Sequence, residues 1–245
     1  MHQGFKSRET DGLAVVSLVP EVIVGKVWFQ LSVSLDGFSA GPNQSKENPI
    51  GEGGMKLFDW QFALEAWRRL SGLEGGEVNA STPVFEEALS THGAVVMGRN
   101  MFGGGPGPWD PDRPWTGWWG DEPSYHTPVF VLTHHPRDPL PMKGGTIFFF
   151  VTDGIESALQ QAKQAAGERN VLIGGGPNVV RQYLAAGLVD EFELHVVPVL
   201  LGAGERLLEG VGTPQLEQIR VVEAPGVTHI KYRIVERLRR PEGRG

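Results

Sequence analysis

The chain has 245 residues, of which 40% are hydrophobic and 21% charged, with a formal net charge of -7, a sequence pI near 5.5 and no cysteine. Such a composition is that of a soluble globular domain with a sizeable core, and its acidic balance excludes broad nucleic-acid binding, which needs a basic face to neutralise phosphates. The absence of cysteine excludes disulfides, thiolate nucleophiles and Cys-ligated metals, and fits a cytoplasmic setting.

At the start of the chain, Lys6 and Arg8 precede an apolar run from Leu13 to Val24 that loosely imitates a signal peptide. Pro20 and Glu21 interrupt the run, Glu9 and Asp11 precede it, and about 12 residues cannot span a bilayer. Residues 1–25 therefore read as an N-terminal extension or an added edge strand. No other stretch reaches the roughly 18 apolar residues of a membrane helix, so no membrane partner is expected.

The run KVWFQLSVSL, from Lys26 to Leu35, is rich in β-branched and aromatic residues and closes on the turn pair Asp36-Gly37, which predicts a first strand. After a Gly-, Pro- and Asn-rich stretch over 41–54, Leu57, Trp60, Leu64 and Trp67 fall at helical spacing and predict a helix over about 56–70. A loop follows, and then Thr82 as N-cap, Pro83 at the first helical position and Glu86 and Glu87 in the first turn predict a helix ending near Thr91. The apolar run from Ala94 to Gly98 predicts a strand buried on both faces. From Met101 to Thr127 the chain holds four of its seven tryptophans and many Gly and Pro residues. A loop this long either covers a site or is a Trp-packed excursion or oligomer contact.

Strands are next predicted at PVFVLT and TIFFFV, then a helix capped by Asp153 and running to about Ala166, and a strand at NVLIG. A glycine turn leads into a helix stopping at Gly187, EFELHVVPVLLG returns as a strand, and QLEQIRVVEA and VTHIKYRIVER form a hairpin around Pro225-Gly226. Helices alternate with strands until the final strands run consecutively. The sheet should therefore be mainly parallel with an antiparallel end. Residues 238–245 read as a solvated tail.

The strongest local feature is the strand that breaks into Gly174-Gly175-Gly176-Pro177-Asn178 before a helix. Glycines let a backbone approach an anion, and the free N–H groups and partial positive charge of a helix N-terminus hold it. A tight turn with no ligand is the other reading of the same residues. Arg99 directly follows a buried strand. Thr133, His134, His135 and Arg137 follow another. Together they could grip a ribose 2′-phosphate, with Thr133 and Arg99 best placed, which favours NADPH over NADH. Arg99 could instead cap a helix or pair with an acid. Asp59 and Glu65 are candidate proton donors for a reduction, or simply solvated helix acids. His134 and His135 are adjacent and point to opposite faces, and His92, His126, His195 and His229 lie in separate elements, so no metal is expected.

The segments MGR, LTHHPR and IGGGPNVVRQYLAAGLVDEF, followed by PVLLGAGERLL and preceded by SLDGF, together resemble the dihydrofolate reductase superfamily, above all its riboflavin-biosynthesis reductase-domain branch. The resemblance spans about residues 26–237. It implies an α/β, dihydrofolate-reductase-like three-layer fold with a mixed sheet of about eight strands and helices on both faces. It also implies NADPH as cofactor, a homodimer, and hydride transfer to a small heterocyclic substrate of pterin, aminopyrimidine or flavin type. By that resemblance Gly174, Gly175, Gly176, Pro177, Asn178 and Val179 would surround the pyrophosphate. Gly98, Arg99 and Asn100 would approach the adenosine end with Thr133 and His134. Leu35 and Asp36 would sit where the first strand meets nicotinamide and substrate, with Asp36 and Asp59 as the catalytic candidates. Asp36 before Gly37 also reads as an Asx-type turn. Three departures stand out: Gly174 occupies a position that is acidic in riboflavin reductases, the segment after SLDG does not match their substrate segment, and the helix beginning at Pro83 shows no clear equivalent of the carboxylate with which dihydrofolate reductases bind the pterin, Glu86 and Glu87 being candidates by proximity only. A non-catalytic NADP-binding or assembly protein on the same fold is the alternative that these departures motivate.

Overall fold

In the computed structural model residues 25–236 are described, so the extension expected over 1–25 (Gly25 aside) and the tail over 238–245 lie outside the described residues. The elements in chain order are β1 (Val27–Ser34), β2 (Phe38–Ala40), a 3-10 turn (Gly54–Phe58), α1 (Asp59–Phe62), α2 (Glu65–Leu70), α3 (Ser81–Ser90), β3 (His92–Gly98) and α4 (Arg99–Phe102). There follow β4 (Pro128–Leu132), β5 (Leu140–Pro141), β6 (Ile147–Val151), α5 (Ile155–Ala166), β7 (Asn170–Gly175), α6 (Pro177–Ala185), β8 (Glu191–Val197), β9 (Glu205–Arg206), β10 (Gln215–Ala224) and β11 (Val227–Glu236).

The main sheet has nine strands in the order β10-β11-β8-β1-β7-β3-β4-β6-β5. Its centre, from β8 to β6, is parallel, and β11 and β10 continue it antiparallel, as the alternation of elements predicts. One strand more than expected comes from the two-residue edge β5, antiparallel to β6. Parallel strands need both faces covered. Alternate residues of β1, β7 and β3 (Phe29, Ile173, Val96) pack against Ala158, Leu159 and Ala162 of α5 and Val180 and Tyr183 of α6. On the opposite face Val95, Met97 and Leu172 meet Ala88 of α3 and the tryptophans of the long loop, and Val197 meets Trp60, Leu64 and Phe85. The sheet thus lies between two helical layers.

Three local expectations are corrected. The helix expected over 56–70 is broken at Leu64, which is extended (φ -69, ψ 135) and fully buried. The returning loop causes the break: Glu77 donates its N–H to the Ala63 carbonyl (2.7 Å) and accepts one from Glu65 (2.9 Å), replacing helical partners. The next helix starts at Ser81 with Ala80 as N-cap, and Thr82 is not its cap. The Asn79 side-chain oxygen accepts the Ser81 N–H (2.9 Å), and Thr82 Oγ1 accepts the Asn79 N–H (3.1 Å), a reciprocal arrangement that starts the helix earlier and moves Glu86 and Glu87 beyond its first turn. Asp153 does not cap α5 through the backbone. Gly154 (φ 95) is the N-cap, and the Asp153 carboxylate accepts hydroxyls of Thr152 and Ser157.

Tyr183 ties the two helices of one layer together. It is fully buried, and its hydroxyl donates to the Ile155 carbonyl at 2.7 Å. Removing only that bond in Tyr183→Phe should cost about 1 kcal/mol, whereas Tyr183→Ala, which also leaves a cavity, should cost about 4 kcal/mol. Urea unfolding of both variants measures this; equal losses would show that packing is not the larger part.

Candidate functional site

The strand β7 ends in a backbone conformation that side chains disfavour. Gly175 has φ +111, open mainly to glycine, its peptide bond to Gly176 is cis, and Pro177 then starts α6. An added Cβ on Gly98, at the end of β3, would sit 2.7 Å from Val179 Cγ2 of α6, whereas one on Gly176 would meet nothing within 4 Å. The first turn of α6 therefore sits tight against β3 while the backbone at Gly176 faces open space.

That space belongs to a cleft of about 1270 Å³ along the carboxyl ends of the parallel strands. Gly98, Arg99, Asn100, Thr133, His134, Gly174, Gly175, Gly176, Pro177, Asn178 and Val179 all line it, so the residues singled out at three separate strand ends are brought together. Arg99 stacks 3.1 Å over the Trp109 ring centre and donates Nη2 to the Gly105 carbonyl (3.0 Å), while its Nε and Nη1 are buried without a partner. Burial and the neighbouring Arg137 lower its pKa from the ordinary value. Arg137 is not part of the lining. Its Nη1 donates to the Trp115 carbonyl (2.6 Å) and its guanidinium lies over Trp109 and Phe150, so it pins the tryptophan loop. In that loop Trp109, Trp115 and Trp119 pack against β3, β4 and β6, and Trp118, Trp119 and Tyr125 line the cleft.

The remaining candidates lie outside the lining. Leu35 is 62% exposed, and the neighbouring strand residue Leu31 faces the cleft in its stead. Asp36 accepts Ser34 Oγ (2.6 Å) and the N–H groups of Leu201 (3.1 Å) and Gly202 (2.7 Å). The Ser34 bond foremost, with those backbone bonds, holds its carboxyl at about 2, so it clamps β1 to the loop after β8 as an ionised group. Asp59 is exposed on α1, Glu65 and Glu86 pair with Arg69, and Glu87 pairs with Arg220 and Lys231. Among the described residues the carboxylates lining the cleft are Glu156 and Glu205, and Glu205 is paired with Arg181.

Sequence reasoning missed the polar floor at the inner end of the cleft. Gln30 and Ser32 on β1 and His195 on β8 line it, on the face of the sheet covered by Trp60. Trp60 Nε1 donates to Ser32 Oγ (3.1 Å), and its ring lies 4.9 Å from both the His195 and His229 rings. His195 and His229 are register partners on β8 and β11, joined Nδ1 to Nδ1 at 2.8 Å. Their other nitrogens meet Gln30 Oε1 (3.1 Å) and Ser81 Oγ (2.8 Å). A period-two polar stripe, Gln30, Ser32 and Ser34 in one predicted strand and Glu191, Glu193 and His195 in another, was the available signal.

The RibD C-terminal domain family model matches residues 25–230, and no curated protein sequence matches the chain. Similar solved structures include a protein of Shewanella sp. PV-4 described as a riboflavin biosynthesis protein, 20% identical, TM-score 0.52, covering 87% of this chain and 99% of that one. Others are a diaminohydroxyphosphoribosylaminopyrimidine deaminase/5-amino-6-(5-phosphoribosylamino)uracil reductase of Thermotoga maritima (13% identical, TM-score 0.50, 86% of this chain and 56% of that) and RibD of Acinetobacter baumannii (14%, 0.52, 87% and 59%). The chain thus spans little more than half the length of those two proteins. At such identities the likeness establishes the fold.

Burial, then the charge of Arg220, lowers the His229 pKa to about 4 from an ordinary 6.5, and burial drives His195 well below 6.5. Between pH 6.5 and about 4 the unfolded chain binds a proton at His229 that the folded chain does not. Stability should therefore fall as pH drops through that window, by up to about 1.4 kcal/mol per pH unit for each such histidine. Urea titrations at several pH values should show His229→Gln with a shallower slope than the parent; an identical slope would refute a neutral buried His229.

Proposed function

The chain belongs to the RibD C-terminal domain family, and we propose that it is an NADPH-dependent reductase acting on a small planar heterocycle. One observation carries the reading: the Arg99 guanidinium is withdrawn from water with Nε and Nη1 unpartnered, in the same cleft as an open Gly175–Gly176 backbone and the first turn of α6. Buried donors without acceptors are rare in folded proteins, and cationic guanidinium N–H groups suit the oxygens of a phosphate. A dinucleotide suits a crevice at the carboxyl ends of parallel strands.

On this reading the backbone of Gly175 and Gly176 and the start of α6 hold the pyrophosphate. Arg99, with Asn100, Thr133 and His134, holds the ribose phosphate that separates NADPH from NADH. Bound NADPH supplies the hydride. The protein's share is to orient the acceptor against the inner end of the cleft, where Trp60, Phe85 and Trp119 exclude water. We assign the accompanying proton to water, because Asp36 is held ionised at about 2 by its hydrogen bonds and Asp59 is exposed outside the lining.

Fluorescence titration should show NADPH binding much more tightly than NADH, with Arg99→Ala losing about ten- to a hundredfold for NADPH and little for NADH. Equal, weak binding of both would sink the proposal. Reproducible consumption of NADPH with a pterin, aminopyrimidine or flavin excludes the non-catalytic alternative. A turnover that collapses in Asp36→Asn, with folding and NADPH affinity intact, would return Asp36 to the role of proton donor.

A further inference from the structure

The floor of the inner cleft has a defined hydrogen-bond direction. A carboxamide oxygen only accepts, so His195 Nε2, 3.1 Å from Gln30 Oε1, carries the proton. With both rings neutral, His195 Nδ1 is then an acceptor and must receive the proton of His229 Nδ1 at 2.8 Å. His229 Nε2 in turn is an acceptor and receives the Ser81 hydroxyl at 2.8 Å. Ser81, His229 and His195 are all buried, so each bond in the chain lacks a competing water. In the order Ser81 to His229 to His195 to Gln30 the inward-facing Gln30 oxygen is the final acceptor. Its amide nitrogen has no partner among the described residues and remains as the polar donor at the cleft.

The surroundings hold no unpaired charge: Glu193, opposite Gln30 on β8, is held by Arg220, which together with Lys231 also holds Glu87. The ionic side chains lining the cleft are Arg99, Glu156, Arg181 and Glu205, from α4, α5, α6 and β9, whereas Gln30 shares its side of the sheet with Ser32, Trp60, Phe85, Ala88 and His195. Burial pushes His92, the other imidazole in that wall, below its ordinary value, as it does His195. An ionised edge placed there would lose its hydration and find the nearest charges, Glu193 and Arg220, already paired with each other.

We propose that Gln30 is the specificity-determining residue of this pocket, held by the His195–His229–Ser81 chain so that its N–H donors meet a carbonyl oxygen or unprotonated ring nitrogen on an uncharged planar heterocycle. His195, His229 and Ser81 are positioning residues. The inference rests on the reductase reading for the identification of this end of the cleft as the substrate end.

The test uses the full chain with saturating NADP and two probes of one skeleton: lumazine, whose pyrimidine ring carries two carbonyl oxygens, and its diamino analogue, in which amino groups replace both. Quenching of tryptophan fluorescence should show lumazine binding about tenfold or more tightly than the analogue. Gln30→Leu should abolish the preference and Gln30→Glu should invert it, since a carboxylate accepts from amino groups. His195→Leu should reduce the preference, and His195→Gln, whose amide can again donate to Gln30, should restore part of it. Unaltered NADPH affinity in each variant reports an intact fold, and a Gln30→Met variant replaces any Gln30→Leu protein that fails to fold. A preference unmoved by the Gln30 variants, a parent protein that favours the diamino analogue, or a parent that does not bind lumazine would each overturn the inference. A lumazine preference that follows Gln30 in a protein that binds no NADPH would overturn the reductase reading alone.

Discussion

Val179 of α6 lies so close to the end of β3 that an added Cβ on Gly98 would come within 2.7 Å of its Cγ2. This approach favours glycine at the end of β3, beside which β7 runs with Gly175 opposite Met97. Gly175 must also turn through φ +111 to enter α6. The consequence is that α6 begins directly over the carboxyl ends of the parallel strands, where its first turn, Arg99 and the strand end at Thr133 open onto one cleft. Tyr183 then anchors α6 to the start of α5, which fixes the opposite wall.

The cleft so formed is electrostatically divided. Its charged side chains, Arg99, Glu156, Arg181 and Glu205, come from α4, α5, α6 and β9, while the floor beneath Trp60 is neutral and hydrogen-bonded. The division follows from strand alternation. Phe29, Leu31 and Val33 of β1 face the α5–α6 layer, so Gln30 and Ser32 must face the other, and His195 of β8 lies in register with Ser32. A buried polar stripe of this kind is stable only when every member finds a partner. Glu191 and Glu193 find Lys26, Arg233 and Arg220, and the histidines find each other.

Where the sequence misled, a distant segment had replaced a local partner. The spacing of Leu57, Trp60, Leu64 and Trp67 describes the buried face correctly, yet the helix breaks at Leu64 because Glu77 takes its backbone bonds. Arg137 has the chemistry for a phosphate but is spent on the Trp115 carbonyl, thirteen residues beyond Phe102 of the same loop system. Asp36, a turn residue by position, proves to be a clamp because Leu201 and Gly202 reach it from the far side of β8.

The sequence by itself determined the strand and helix order, the mainly parallel sheet with its antiparallel end, and the glycine turns that meet at the cleft. These depend on period, apolar runs and turn chemistry, which are local. Only the tertiary structure decided which polar groups face one another. His195 and His229 are 34 residues apart, and Gln30 lies 165 from His195. Their meeting is set by strand order and register, and no spacing along the chain encodes those.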